Sequence, residues 1–332
     1  MDQTLYRLAG DGRAEPRQLA ALYELAVMPG EPRQLPRRLR WGMGMAAGLL
    51  LGAGLIFWIA ANWQQQSRMF KLGLIEAALL LSFLLALAWP RARGAALLCA
   101  QLALGGLLAF VGQTYQTGAD AWQLFAAWAA LSLIWTLVAR SDLLWAFWVG
   151  IAAVGLSSWA GRIDGLDVFL LHGQRGAGQA LMTMALWLPL AFVPMAVSLL
   201  PGVRLAQGLG RWSHRAAMAV ALACWTVLGC AHWFGRSSEV TVALAACLLV
   251  ALVFWLALVG RWRDFVVLCL ATLAVDVLAM GAVVRVAFEA GDAVAALFIC
   301  SIAGLACLGG SAVGLVRVQR RMAAAHEDGG AA

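Results

Sequence analysis

The sequence predicts an all-α fold, a polytopic bundle of about ten transmembrane helices, and three observations predict it. Of the 332 residues, 63% are hydrophobic and 12% are charged, about half the charged share of ordinary soluble domains. Apolar runs of about 20 residues, long enough to cross a hydrocarbon core, recur along nearly the whole chain. The arginines flank these runs. The solvent for most of the chain is therefore lipid, which excludes a soluble enzyme.

Each predicted span can cross about 30 Å of hydrocarbon at about 1.5 Å per residue. The spans are residues 41–62, 70–89, 95–113, 121–138, 142–160, 179–200, 214–234, 240–259, 264–285 and 291–316. Together they predict a transmembrane bundle over residues 41–316, followed by a disordered cytoplasmic tail over residues 317–332.

The polar N-terminal segment, residues 1–40, is predicted to contain a short amphipathic helix. Leu19, Leu22 and Leu25 recur at the spacing of one helix face, and Pro29 ends the pattern. Two interpretations are open for this helix. It packs at the cytoplasmic ends of the bundle or in the lipid interface, or it is an arm that binds a partner.

Basic residues predict the orientation, because cytoplasmic loops of membrane proteins carry an excess of Lys and Arg. Of the 24 basic residues, 18 lie in the N-terminal segment, the even-numbered loops and the C-terminal tail, and 6 lie on the opposite side. Both termini are therefore expected in the cytoplasm, as in a multi-pass protein of the bacterial inner membrane. The loop between the third and fourth spans is expected outside.

Glycines at four-residue spacing predict close helix packing in two spans. Gly44, Gly48 and Gly52 repeat in the first span, and Gly310 and Gly314 in the last. Small residues at this spacing let two helix backbones approach closely. We expect packing within the chain, with a dimer face as the alternative.

Tryptophans near the ends of the spans predict anchors in the membrane interface, where amphipathic rings are enriched. These residues are Trp63, Trp122, Trp145, Trp212 and Trp262.

The hairpin between the third and fourth spans concentrates polar and aromatic side chains without any Lys or Arg. Its candidate functional residues are Gln113, Tyr115, Asp120, Trp122 and Trp128. This set of donors, acceptors and rings at the membrane edge is suited to binding a polar ligand. The alternative is a capped helical hairpin, in which Gly118 turns the chain and Asp120 accepts amide hydrogens at the start of the fourth helix.

The segment GQTYQTGADAWQLFAAWAALSLIWTLVARSDLLW, together with FWIAANW at residues 57–63, resembles the signature of the domain of unknown function 2157 family of predicted bacterial membrane proteins. The resemblance covers roughly residues 1–160 and is best within residues 41–160. It implies a short cytosolic N-terminal segment followed by a string of transmembrane helices. It implies no activity, and the helices after Gly161 carry no motif of the family.

Two carboxyl residues lie inside predicted spans, where a charge costs about 2.5–3.5 kcal/mol on insertion scales. Asp276 lies near the middle of the ninth span, and Glu76 about two turns into the second. Gln101, Thr272 and Arg285 are candidate partners. Each carboxyl is therefore either hydrogen-bonded between helices or a proton-linked or ligand-binding group.

No residue pattern indicates catalysis, a cofactor or a metal. The seven cysteines lie in apolar runs without paired spacing, and the four histidines are scattered. Neither a P-loop nor an HExxH, GxSxG or dinucleotide-binding motif occurs in the sequence. We expect no enzymatic activity, no cofactor and no nucleic-acid partner.

Two segments about 120 residues apart resemble one another. Residues 135–142 (WTLVARSD) and residues 255–264 (WLALVGRWRD) each contain a Trp, an Arg and an Asp at the start of a predicted helix. A parallel repeat and the independent placement of interfacial Trp, cytoplasmic Arg and helix-capping Asp both explain the likeness.

Two functions of different classes remain open. The first is a non-enzymatic protein that senses a ligand, or assembles with a membrane or periplasmic protein, through its outward hairpin. The second is a proton-coupled transporter of small solutes that uses Glu76 and Asp276. A water-filled path to either carboxyl favours transport, whereas a packed bundle with a polar hairpin favours sensing or assembly. The sequence does not specify the ligand or the oligomeric state.

Overall fold

The computed structural model describes residues 35–62, 64, 66–115, 118, 120–161, 177–203, 205, 208–234, 240–259, 262–289 and 293–328. Within these ranges the chain forms ten α-helices, each with a stretch long and apolar enough to cross a membrane. They are α1 (Leu35–Ala61), α2 (Arg68–Ala88), α3 (Arg93–Tyr115), α4 (Ala121–Ala139), α5 (Asp142–Gly161), α6 (Ala177–Leu199), α7 (Arg211–Phe234), α8 (Val240–Leu258), α9 (Phe265–Glu289) and α10 (Ala293–Asp328). The predicted all-α transmembrane architecture is confirmed.

The C-terminal end of the chain shows where the sequence prediction and the structure differ. The helix α10 continues to Asp328, whereas a disordered tail was predicted from residue 317. Its last turns contain Arg, Gln, Met and Ala, which are strong helix formers, and the first glycine after Gly314 is Gly329. Most of the predicted N-terminal segment, residues 1–34, lies outside the described residues.

The described residues divide into two compact units. The first contains α1, the part of α2 from Leu80 onward and α3 as far as Leu102. In this unit a Cβ atom on Gly48 would lie 2.5 Å from the Ala95 carbonyl oxygen, and one on Gly52 would lie 2.7 Å from the Leu102 side chain. The predicted close packing of α1 is thus confirmed at Gly48 and Gly52.

The second unit contains the first part of α2, α3 from Ala103 and all later helices. Its central helix is α7, which packs against α5, α6, α8 and α9. Trp225 of α7 is fully buried, and its indole N–H donates to the Met184 carbonyl oxygen of α6 at 3.1 Å. This hydrogen bond satisfies the one polar atom of the largest fully buried side chain.

The helix α10 packs against α9 and leaves most of its surface exposed. It contacts the core with the face that carries Leu315 and Val318. A Cβ atom on Gly310 or Gly314 would meet no atom within 4 Å. The prediction that these two glycines pack within the chain is therefore wrong, because the helix is rotated so that they point away from α9.

The predicted interfacial tryptophans have different environments. Trp212 is exposed, as expected of an anchor in the interface. Trp145 is only 3% exposed, packs with Val197 and Leu205, and meets Trp148 edge to face at 5.5 Å. The interfacial prediction is therefore wrong for Trp145, because the end of α6 and the loop after it cover the start of α5.

Replacing Gly105 by alanine should destabilise the contact between α3 and α4, because the new Cβ would overlap the indole ring of Trp128. Overpacking of this kind costs about 1–3 kcal/mol. Chemical unfolding of the purified protein in micelles, followed by circular dichroism, measures the decrease in the free energy of unfolding. The matched control is Gly112→Ala in the same helix, where a Cβ meets no atom within 4 Å. Equal stability of the two variants would contradict the contact.

Candidate functional site

The turn between α3 and α4 is built as a capped helical hairpin. Gly118 has a φ of +65°, in the left-handed region that glycine adopts without strain. Asp120 is the N-cap of α4 and forms a capping box with Gln123, whose side-chain oxygen accepts the Asp120 backbone N–H at 3.2 Å. The Trp122 indole N–H donates to the Asp120 carboxylate at 3.3 Å. The turn and capping roles that the sequence left open are thus present in the structure.

The hairpin brings four of its five predicted residues to one end of the α3–α4 pair. Gln113 and Tyr115 are exposed, Tyr115 to 64%, and neither forms a hydrogen bond within the described part of the chain. Asp120 and Trp122 lie across the turn from them. The capping contacts define the start of α4 next to these polar groups.

Trp128 has a different role from the other hairpin residues. It lies eight residues after Asp120, about 12 Å along α4. Its ring stacks on Phe125 at a centroid distance of 5.8 Å and covers Gly105 of α3. Trp128 therefore joins the two helices and does not belong to the exposed tip.

Asp276 is buried where α9 meets α10. The Ser311 hydroxyl donates to its carboxyl oxygen at 2.8 Å. The predicted partner Thr272 instead donates to the Leu268 carbonyl of its own helix at 2.8 Å. The carboxyl is thus engaged in a contact between helices.

Glu76 is exposed on α2, and the structure gives it no hydrogen bond or ion pair among the described residues. The candidate partner Arg285 pairs with Glu289 on its own helix at 2.9 Å. No described hydrogen bond or ion pair joins Glu76 to Asp276. The two carboxyls proposed for proton coupling therefore have separate environments.

A further polar cluster surrounds the start of α7, and the sequence analysis did not identify it. We call Asp142, Ser213, Arg215 and Asp264 the α7 cap cluster. Asp142, the first residue of α5, accepts hydrogen bonds from the backbone N–H groups of Trp212 at 2.8 Å and Ser213 at 3.0 Å. It also accepts the Ser213 hydroxyl at 2.7 Å. Asp142 therefore caps α7 from another helix.

Gly210 makes this approach possible, because a Cβ at that position would collide with the Asp142 carboxylate. Arg215, one turn into α7, binds both carboxylate oxygens of Asp264, at 2.9 and 3.1 Å. Asp264 also accepts the backbone N–H groups of Val266 and Val267 and so caps α9. The cluster ties the starts of three helices together.

The similarity between residues 135–142 and 255–264 is the sequence signal that could have pointed to this cluster. Both segments end at an aspartate, and both aspartates bind α7. The sequence showed that each aspartate starts a helix, but not that the two meet on a third helix. His214, buried beside them, belongs to no metal-binding group within the described ranges. The cluster is accordingly a structural junction.

Comparison with protein families gives one match. Residues 6–145 match the family described as Predicted membrane protein (DUF2157). This part of the chain is similar to that family. The DUF2157 region covers α1 to α4, including the hairpin, and ends at the start of α5 just after Asp142. Comparisons with curated proteins and with solved structures give no match.

Replacing Asp142 by alanine should destabilise the protein by about 0.5–2 kcal/mol, the usual cost of losing a helix N-cap. The variant leaves the backbone N–H groups of Trp212 and Ser213 without their acceptor. Asp142→Asn is the matched control, because its side-chain oxygen still accepts one of these hydrogen bonds. Unfolding in micelles should therefore rank the asparagine variant between the wild type and the alanine variant. An alanine variant as stable as the wild type would show that the cap is dispensable.

The hydrogen bond between Asp276 and Ser311 should be measurable by a double-mutant cycle of Asp276→Ala and Ser311→Ala. Hydrogen bonds between transmembrane helices contribute about 0.6 kcal/mol on average, so we expect a coupling free energy of that size. Ser301→Ala is the matched control in the same helix, since its hydroxyl donates to the Leu297 carbonyl of α10 itself. Ser301 should show no coupling to Asp276. A coupling free energy of zero between Ser311 and Asp276 would show that this hydrogen bond does not stabilise the protein.

Proposed function

We propose that this chain is a non-enzymatic protein of the bacterial inner membrane that recognises a membrane or periplasmic protein partner through its α3–α4 hairpin, for sensing or for assembly. One observation carries the proposal: Gln113 and Tyr115 are exposed at the end of α3, next to the connection that contains Gly118 and the cap at Asp120. An exposed tyrosine offers both apolar area and a hydrogen-bonding hydroxyl.

The predicted orientation of the chain in the membrane is the second observation that supports the proposal. The distribution of Lys and Arg, 18 against 6, favours cytoplasmic termini and therefore an outward hairpin. The ten helices of the described residues that are long and apolar enough to cross a membrane are an even number, which supports placing both ends of the helical region on the same side. The hairpin then faces the periplasm, where it is accessible to soluble domains and to neighbouring membrane proteins.

Site-specific photocrosslinking in living cells tests the proposal. A benzophenone amino acid placed at Tyr115 should give a discrete adduct of higher mass, because this side chain lies at the exposed tip. The matched control is the same group at Val138, which is 78% exposed but lies at the opposite end of α4. Asp120→Ala should lower the Tyr115 adduct about tenfold, a change of about 1.4 kcal/mol, while the amount of folded protein is unchanged.

Three outcomes would contradict the proposal. The first is that the photoreactive group gives equal amounts of adduct at positions 115 and 138. The second is an alkaline phosphatase fusion after Asp328 that is active, because this would place the hairpin in the cytoplasm. The third is proton-driven solute uptake by vesicles containing the purified protein that is lost in Glu76→Gln or Asp276→Asn, because this would establish transport.

A further inference from the structure

Three exposed arginines directly follow the apolar part of α10. Arg317, Arg320 and Arg321 are three and four residues apart, so they lie on one side of the helix. All three are exposed, and none of them forms a side-chain hydrogen bond or ion pair within the described part of the chain. The sequence of α10 contains no acidic residue before Glu327. The helix therefore supplies no carboxylate within one turn of these guanidinium groups.

The depth of these arginines coincides with the lipid headgroups. A helix that enters a hydrocarbon core of about 30 Å at Ala293, the first residue of α10, leaves it near Val313. Arg317 lies about 36 Å from Ala293 along the helix axis, and Arg321 about 42 Å. The headgroup layer extends about 5–8 Å beyond the hydrocarbon on each side. The arginine side chains therefore reach this layer.

The arginines continue a side of α10 that faces lipid. Val313 and Val316 are 51% and 45% exposed, and Arg317 and Arg320 follow them by four residues each. Residues four apart lie one above the other on the same helix face. The face of α10 that contacts the core contains Val318 and is a different one. In a bilayer, the groups next to these guanidinium groups are therefore lipid headgroups.

We propose that Arg317, Arg320 and Arg321 bind the phosphate of an anionic phospholipid, such as phosphatidylglycerol, at the membrane surface. The planar guanidinium group donates two parallel hydrogen bonds to a phosphate, with a charge that is always present. Phosphatidylcholine also has a phosphate, but the arginines repel its trimethylammonium group, whereas phosphatidylglycerol has a net negative charge. This site is separate from the hairpin, and the proposal does not rest on the hairpin's function.

Native mass spectrometry of the full chain, released from detergent micelles, tests the proposal by measuring the affinity for each added lipid. The wild type should bind phosphatidylglycerol more tightly than phosphatidylcholine with the same acyl chains. Replacing the three arginines together by glutamine should lower the phosphatidylglycerol affinity about a hundredfold, at about fivefold for each arginine. Replacing them by lysine should keep most of the preference, because the positive charges remain. Circular dichroism should show both variants folded, since the replaced side chains are exposed.

A pair of double variants separates this site from the general charge of the protein. Arg320→Gln with Arg321→Gln removes two charges from α10. Arg211→Gln with Arg263→Gln is the matched control, because it removes two exposed charges next to the starts of α7 and α9. These lie on the same side of the membrane as the end of α10 when the helices alternate. The α10 pair should lower the phosphatidylglycerol affinity about 25-fold, and the control pair should lower it less than about fivefold.

Three results would overturn the proposal. One is equal affinity of the wild type for phosphatidylglycerol and phosphatidylcholine. Another is a control pair that lowers the affinity as much as the α10 pair, because general charge would then hold the lipid. The last is complete displacement of phosphatidylglycerol by an equal concentration of glycerol 3-phosphate, because the site would then recognise a free phosphate and not a lipid.

Discussion

The capping of α7 by Asp142 is the interaction on which the C-terminal bundle depends. The first backbone N–H groups of a helix have no partner within that helix, and leaving them unsatisfied next to hydrocarbon is costly. Asp142 satisfies two of them from another helix and so fixes the position of α5 relative to α7. Because α7 also packs against α6, α8 and α9, this one contact positions the helix that the others surround.

Four of the carboxyl groups described above fall into two classes. Asp142, Asp264 and Asp276 are each bound by donors from another helix, so their polarity contributes to the packing of the bundle. Glu76 has no such donor among the described residues. A polar group packed between helices needs a hydrogen-bonding partner, and this rule explains the contacts of the first three.

The DUF2157 match ends at a junction between helices. The matched residues 6–145 contain Glu76 and the hairpin, both of which are exposed. They end just after Asp142, whose carboxylate binds α7 outside the match. The Asp142 contact therefore joins the last matched residues to the helices that follow the match.

The sequence by itself determined the number and the positions of the membrane spans, because length and hydropathy are properties of a short stretch of chain. It also predicted the glycine turn at Gly118 and the cap at Asp120, whose interactions reach only a few residues. The tertiary structure decided which residues each side chain contacts. Asp142 binds residues about 70 positions later, Asp276 binds Ser311, Trp145 is buried, and Gly310 is exposed. These outcomes depend on the rotation of each helix about its axis. In lipid both the packed and the exposed faces of a helix are apolar, so hydropathy alone does not encode that rotation.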